Sequence, residues 1–239
     1  MEILYEDNHI VAVNKRVSDI VQHDPSGDTP LDEKVKQYIR EKYHKPGDVF
    51  LGIVHRIDRP VSGVVLFART SKALERLNAM FKERSVKKIY WAIVKDAPPS
   101  SEGKLIHQLV RDTAKNKSFI TTGNHPEAKT AELDYRVLGS SDRYHLLEIN
   151  LHTGRHHQIR CQLAHIGCPI KGDLKYGYPR SNEDKGICLH SRYVEFFHPV
   201  KKEKLVITAR PPHNTLWDYF IETRGLKPES TPLRHESQE

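Results

Sequence analysis

Apolar residues recur along the chain in short alternating or continuous runs. They predict strands at Ile10–Val13, Val49–Val54, Val64–Ala68, Ile89–Val94, Leu133–Leu138, Leu146–Leu151 and Leu205–Ala209. Helical spacing interrupts them. Leu31, Val35, Tyr38 and Ile39 follow Thr29-Pro30, which reads as a threonine cap with proline at the first helical position. Leu74, Leu77 and Phe81 make one stripe over Ser71–Phe81, and Ile159, Leu163 and Ile166 make another over Arg155–Ile166, which stops at Gly167. A fourth helix is expected from about Asn214 to Arg224, ending at Gly225. Strands and helices mixed without regular βαβ alternation predict an α+β fold with a mixed, largely antiparallel sheet and flanking helices. Asp96–Gly103 reads as a connection, and the short basic stretch Arg111–Lys117 as part of a smaller sub-lobe. Residues 1–225 are read as one domain, and the polar stretch 226–239 as a disordered tail.

Composition narrows the function. The chain has 239 residues, 37% hydrophobic and 29% charged, and no apolar run long enough to span a membrane. Its first residues are acidic where a secretory signal is basic, so a cytoplasmic location is expected. Lys+Arg 38 against Asp+Glu 31 gives +7, which favours a polyanionic partner such as RNA. Cys161, Cys168 and Cys188 form no Cys-x-x-Cys pair, so buried, reduced thiols are expected rather than a disulfide framework or zinc knuckle.

Three segments could carry chemistry. His55-Arg56-Ile57-Asp58-Arg59-Pro60-Val61-Ser62-Gly63 lies between two apolar runs, with cations beside Asp58 that favour its ionised form. An ionised carboxylate so placed can serve as nucleophile or base, or merely pair with an arginine. Thr153-Gly154-Arg155-His156-His157-Gln158-Ile159-Arg160 opens a predicted helix, where backbone donors and two arginines would favour an anion. His152, His156, His157 and His165 invite a zinc reading, but no acidic or thiolate third ligand is evident, and no metal is expected. Lys87–Val94 brings Tyr90 and Trp91 to opposite faces of a strand, one expected in the core and the other available to stack on a base.

In this order, these segments resemble the RluA family of pseudouridine synthases. The likeness starts at Ile3-Leu4-Tyr5-Glu6-Asp7-Asn8-His9 and Asn14-Lys15 and continues through His55–Thr70, Lys87–Val94 and Thr153–Lys175. It includes Gly172-Asp173 and Tyr176-Gly177, and ends at Leu189-His190-Ser191 through Phe197-His198-Pro199. Arg16-Val17 stands where the family usually has proline and glycine, and Val61 where it has threonine.

The resemblance implies the pseudouridine synthase fold with a central active-site cleft, in a stand-alone catalytic domain without an appended RNA-binding module. It implies isomerisation of uridine to pseudouridine in ribosomal or transfer RNA, with no cofactor, by a protein expected to be monomeric. Asp58 resembles the essential aspartate, acting as nucleophile at the sugar or as base at C2′. Arg160 resembles its cationic companion, and Tyr90 the tyrosine that packs on the base and joins in the late proton removal from C5. Arg56 resembles the residue that fills the gap left by a flipped nucleotide, and His55, Arg59, Arg155 and His157 are further RNA-binding candidates. A non-catalytic RNA-binding module is the competing reading. A glycosidase would need two flanking acids, and Asp173, which resembles a structural turn residue, is a weak second.

Overall fold

The computed structural model describes residues 1–226. In chain order the elements are β1 (Glu2–Glu6), β2 (Ile10–Lys15), α1 (Leu31–Lys42), β3 (Gly52–Ile53), β4 (Ser62–Ala68), α2 (Ser71–Lys82), β5 (Lys87–Val94) and β6 (Glu102–Asp112). Then come β7 (Lys117–Thr121), β8 (Lys129–Ser140), β9 (His145–Leu151), α3 (Gln158–His165), a 3-10 turn (Leu174–Tyr176), β10 (Leu189–Phe197), β11 (Lys204–Thr208) and α4 (Thr215–Thr223). The fold is α+β, as the pattern predicts. Among the described residues the chain divides into two compact units, Met1–Val86 with Ser191–Pro212, and Lys87–His190 with residues 213–226.

In the first unit the strand order is β1-β2-β4-β10, with β11 paired to β10 and β3 to β4. The β1–β2 hairpin closes through Asp7, whose Oδ1 accepts from the backbone N–H groups of His9 (2.8 Å) and Ile10 (2.9 Å). β2 and β4 are buried, which explains their continuous apolar runs. Ala73 and Leu77 of α2 pack with Leu4, Ile10, Leu66, Phe196 and Ile207 in one core, each leucine, isoleucine or phenylalanine contributing about 1.5–3 kcal/mol by leaving water. Gly63, with φ of +117°, lies so near the Ser191 backbone that a Cβ would stand 2.2 Å from its carbonyl oxygen, so no side chain fits there.

The second unit orders its strands β5-β9-β8-β6-β7, every pairing antiparallel. α3 is fastened to this sheet by the Gln162 amide, which donates to the carbonyls of Leu105 and Ala131, each at 3.3 Å. Asn214 caps α4 by accepting from Leu216 and Trp217, and the helix buries Trp217, Phe220 and Ile221.

Several expectations need correction. Thr29 is not the cap of α1: Pro30 holds that position, without a side-chain cap bond. The run Val49–Val54 yields only the two-residue β3. α3 begins at Gln158 rather than Arg155. Strands β1, β6, β7 and β10 went unread, β6 because Glu102–Asp112 mostly alternates exposed with half-buried positions, leaving little apolar signal. The predicted tail lies, from residue 227 on, outside the described residues.

Candidate active site

In the first unit, Asp58 sits on the loop that enters β4. Its carbonyl accepts from the Val61 N–H at 3.0 Å, closing a four-residue turn. The neighbouring Arg59 carbonyl accepts twice, from the Ser18 N–H (3.1 Å) and from Lys15 Nζ (3.1 Å). Lys15 is fully buried at the end of β2, and its ammonium also donates to the carbonyls of Arg16 (2.9 Å) and Asp19 (2.7 Å). There is one acceptor for each ammonium proton. Burial works against this charge and draws the Lys15 pKa down to about 7, despite the opposing pull of Asp19 and Asp58.

The flanking residues divide in role. The His55 ring stacks on Phe81 at 5.0 Å, and its Nε2 accepts from the Leu66 N–H at 3.1 Å, so it extends the pairing of β4 beyond the short β3. Arg59 pairs with Asp28, tying the loop before α1 to the Asp58 turn. Arg56 is exposed beside Asp58.

In the second unit, Arg160 occupies the first turn of α3 and is buried. Its Nε and Nη2 donate to the two oxygens of Asp173, at 2.7 and 2.9 Å, a bidentate fork that uses two of the five guanidinium donors. Its guanidinium carbon lies 5.2 Å from the centroid of the Tyr176 ring. The Tyr176 hydroxyl accepts from the Ser118 N–H (2.8 Å), is 3.1 Å from the Ser118 carbonyl and 3.0 Å from His157 Nδ1. His157 is buried with φ of +51°, and this left-handed residue keeps Arg155–His157 out of the helix. Gln158 locks the same loop. Its Oε1 accepts from the Thr153 hydroxyl (2.7 Å) and the Arg155 N–H (3.0 Å), while its Nε2 donates to the Glu132 carbonyl (3.1 Å).

Arg155 Nε donates to the Thr130 carbonyl at 3.0 Å. Tyr90 and Trp91 are both buried, which corrects the expectation that only one would be in the core. Asp173 is the residue that sequence reasoning undervalued: a buried carboxylate holding Arg160, not a turn residue alone. Tyr176 entered the sequence reading only within the Tyr176-Gly177 pair of the family resemblance, with no role attached, and Ser118 gave no signal. His152 Nε2 meets Asp134 Oδ2 at 2.6 Å, the His156 and His157 rings stack at 3.8 Å, and among the described residues no metal-binding group of three is gathered.

Residues 9–165 match the family described as RNA pseudouridylate synthase. The chain is 35% identical over 214 residues to ribosomal large subunit pseudouridine synthase C of Buchnera aphidicola, covering 87% of this chain and 66% of that one. It thus spans just under two thirds of that relative's length. It is 30% identical over 227 residues to tRNA pseudouridine synthase C of Haemophilus influenzae, covering 87% of this chain and 92% of that protein. Among solved structures, human RNA pseudouridylate synthase domain containing 4 shares the fold, with a TM-score of 0.76 at 23% identity over 94% of this chain and 93% of that one.

Proposed function

The chain belongs to the RNA pseudouridylate synthase family, and from that premise we propose that it isomerises uridine to pseudouridine in ribosomal or transfer RNA. The family match over residues 9–165, which spans Asp58, Tyr90 and Arg160, is the observation that carries this reading. The reaction breaks the bond from C1′ to N1 and forms one from C1′ to C5. The C5 proton is released and N1 gains one, so electrons balance without a redox partner.

Asp58 supplies the carboxylate, as nucleophile at C1′ or as base at C2′. Arg160 supplies a guanidinium whose plane is fixed before substrate arrives, which suits a preorganised electrostatic role. Tyr90 packs against the detached base and takes part in the final loss of the C5 proton. Arg56, exposed beside Asp58, fills the space a flipped uridine leaves, because the sugar carbon of a stacked nucleotide is otherwise out of reach. Residues 1–225 act as one catalytic domain, a cytoplasmic monomer with RNA as its partner.

Tritium release from RNA labelled at uridine C5 tests the assignment. The parent protein is expected to release tritium, and Asp58→Asn, nearly isosteric and uncharged, to lose at least a thousandfold in rate while still folding and binding RNA. Residual turnover within tenfold of the parent removes Asp58 from the chemistry. No release by the parent from any ribosomal or transfer RNA supports the non-catalytic RNA-binding alternative.

A further inference from the structure

The second unit holds a cavity of about 880 Å³ that the RNA-modifying reading leaves unused. Its lining comes from the β8–β9 turn, from Lys171, from the loop between the 3-10 turn and β10, and from the start of α4. The seven residues of β9 separate that turn from the loop leading to Arg160, a span of about 23 Å along the strand. The cavity has the size of a small-molecule site, about 300 to 1,000 Å³.

Its inner members are firmly held. The Lys171 N–H donates to the Ile93 carbonyl (2.9 Å) and the Lys171 carbonyl accepts from the Cys188 N–H (2.8 Å), which fixes the lysine between β5 and the approach to β10. The half-buried Lys171 Nζ donates to Asn182 Oδ1 at 2.5 Å, and among the described residues its other two protons meet no acceptor. Asn182 in turn packs so closely on Gly172, with φ of +89°, that a Cβ there would stand 2.6 Å from Nδ2. Burial pushes the Cys188 thiol up to about 11, so it brings no charge to balance the ammonium.

The exposed members carry the opposite sign. Asp142, Glu183 and Asp184 are set against one guanidinium, that of Arg143. Among the described residues the carboxylates of Asp142 and Glu183 have no hydrogen bond or ion pair, while Asp184 accepts from the Gly186 N–H at 2.9 Å and His213 lies 3.4 Å from Asp218. Tyr144, Leu216 and Tyr219 add apolar surface to the same cavity.

We propose that this cavity is a binding site for a zwitterion of the α-amino acid type, with its carboxylate on Lys171, its ammonium among Asp142, Glu183 and Asp184, and an aromatic or branched side chain against Tyr144, Leu216 and Tyr219. One positive group inside and a surplus of carboxylates outside disfavour a plain anion and a plain cation alike, since a phosphate would meet the outer carboxylates and a polyamine the inner ammonium. A molecule with both charges satisfies both sets. The proposal does not rest on the RNA-modifying reading, but it touches it: Lys171 lies two residues before Asp173, whose carboxylate grips Arg160.

The test is isothermal titration calorimetry of the full chain, without RNA, against a panel of free L-amino acids. At least one aromatic or branched amino acid is expected to bind with a Kd between about 10 μM and 1 mM. Its carboxamide and its N-acetyl derivative are each expected to bind at least about tenfold more weakly, the worth of one charge-assisted hydrogen bond. Lys171→Gln is expected to lose about tenfold for the free amino acid and nothing further for the carboxamide, since both changes remove one contact. Asp142→Asn/Glu183→Gln is expected to do the same for the N-acetyl form. The derivatives probe both contacts in the unaltered protein, so a Lys171→Gln chain that fails to fold leaves the test intact. Amide hydrogen exchange then locates the ligand, with protection expected in peptides covering residues 141–144, 171–188 and 213–219. No binding of any amino acid at about 10 mM, derivatives that bind as well as the free amino acid, or protection confined to other segments overturns the proposal. Binding of free uridine at these segments, with no amino acid bound, assigns the cavity to nucleosides and overturns it too.

Discussion

The two units fix their principal polar residue by opposite means. In the first, the main chain at Asp58 is set by bonds among backbone groups and one buried ammonium: Val61 closes the turn, and Lys15 and Ser18 converge on the Arg59 carbonyl. In the second, Arg160 is set by side chains, with Asp173 gripping its edge and Tyr176 packed against it. A loop held through carbonyls depends on one side-chain donor and little on the identity of the residues that supply the oxygens. A guanidinium held through a carboxylate and a ring depends on each of them.

The sharpest break in this contrast is Asp173→Asn. It leaves a buried guanidinium facing a neutral amide, and a loss of about 3 to 5 kcal/mol in unfolding free energy is expected, measured by urea titration. The double change Arg160→Met/Asp173→Leu is expected to recover most of that stability and none of the turnover, since an apolar pair needs no compensation. A single-variant loss below about 1 kcal/mol would mean the fork contributes no more than an exposed ion pair does.

Next is Lys15→Met, which keeps an unbranched chain of similar length and removes the donor from three carbonyls. About 2 to 3 kcal/mol is expected to be lost, with turnover falling alongside as the Asp58 turn loosens. This variant also has a pH signature. Lys15 titrates near 7 in the folded protein and near about 10.4 unfolded, so between those values the unfolded chain holds the extra proton. Stability from this position is then flat below pH 7 and rises toward pH 10, so the gap between parent and Lys15→Met should widen over that interval. A gap that narrows would show that the folded ammonium keeps its proton.

The smallest effect is expected from Tyr176→Phe, about 1 to 2 kcal/mol, because the ring stays under Arg160 while the bonds to Ser118 and His157 are lost. Single-turnover rates on RNA should drop modestly, in contrast to Asp173→Asn. Equal rate losses in the two variants would place the hydroxyl network, rather than the fork, in control of Arg160.

Much of this arrangement was legible in the chain. The Asp58 loop stands out because strongly apolar runs bracket it, and the α+β fold follows from elements whose buried faces repeat at two or at 3.6 residues. The Arg160 support was not legible for a physical reason. Asp173 and Tyr176 reach it from one short turn, and Ser118 braces Tyr176 from a distant strand; such contacts leave no local periodicity. β6 was missed because it offers little apolar surface to the core, and the start of α3 because His157 adopts a left-handed backbone that histidine seldom takes.

The bond from the Ser118 N–H to the Tyr176 hydroxyl also bears on self-association. β7 is the last strand of its sheet, and Ser118-Phe119-Ile120-Thr121 is a short β-prone stretch with Phe119 exposed. Open strands of this kind template pairing with other chains. Here the outward amide at Ser118 is already occupied by a phenol, and Lys117 and Lys115 put charge where an intruding strand would begin. The tyrosine beneath the arginine therefore also works as a stopper, and its loss would expose the protein to edge-to-edge aggregation as well as to a looser Arg160.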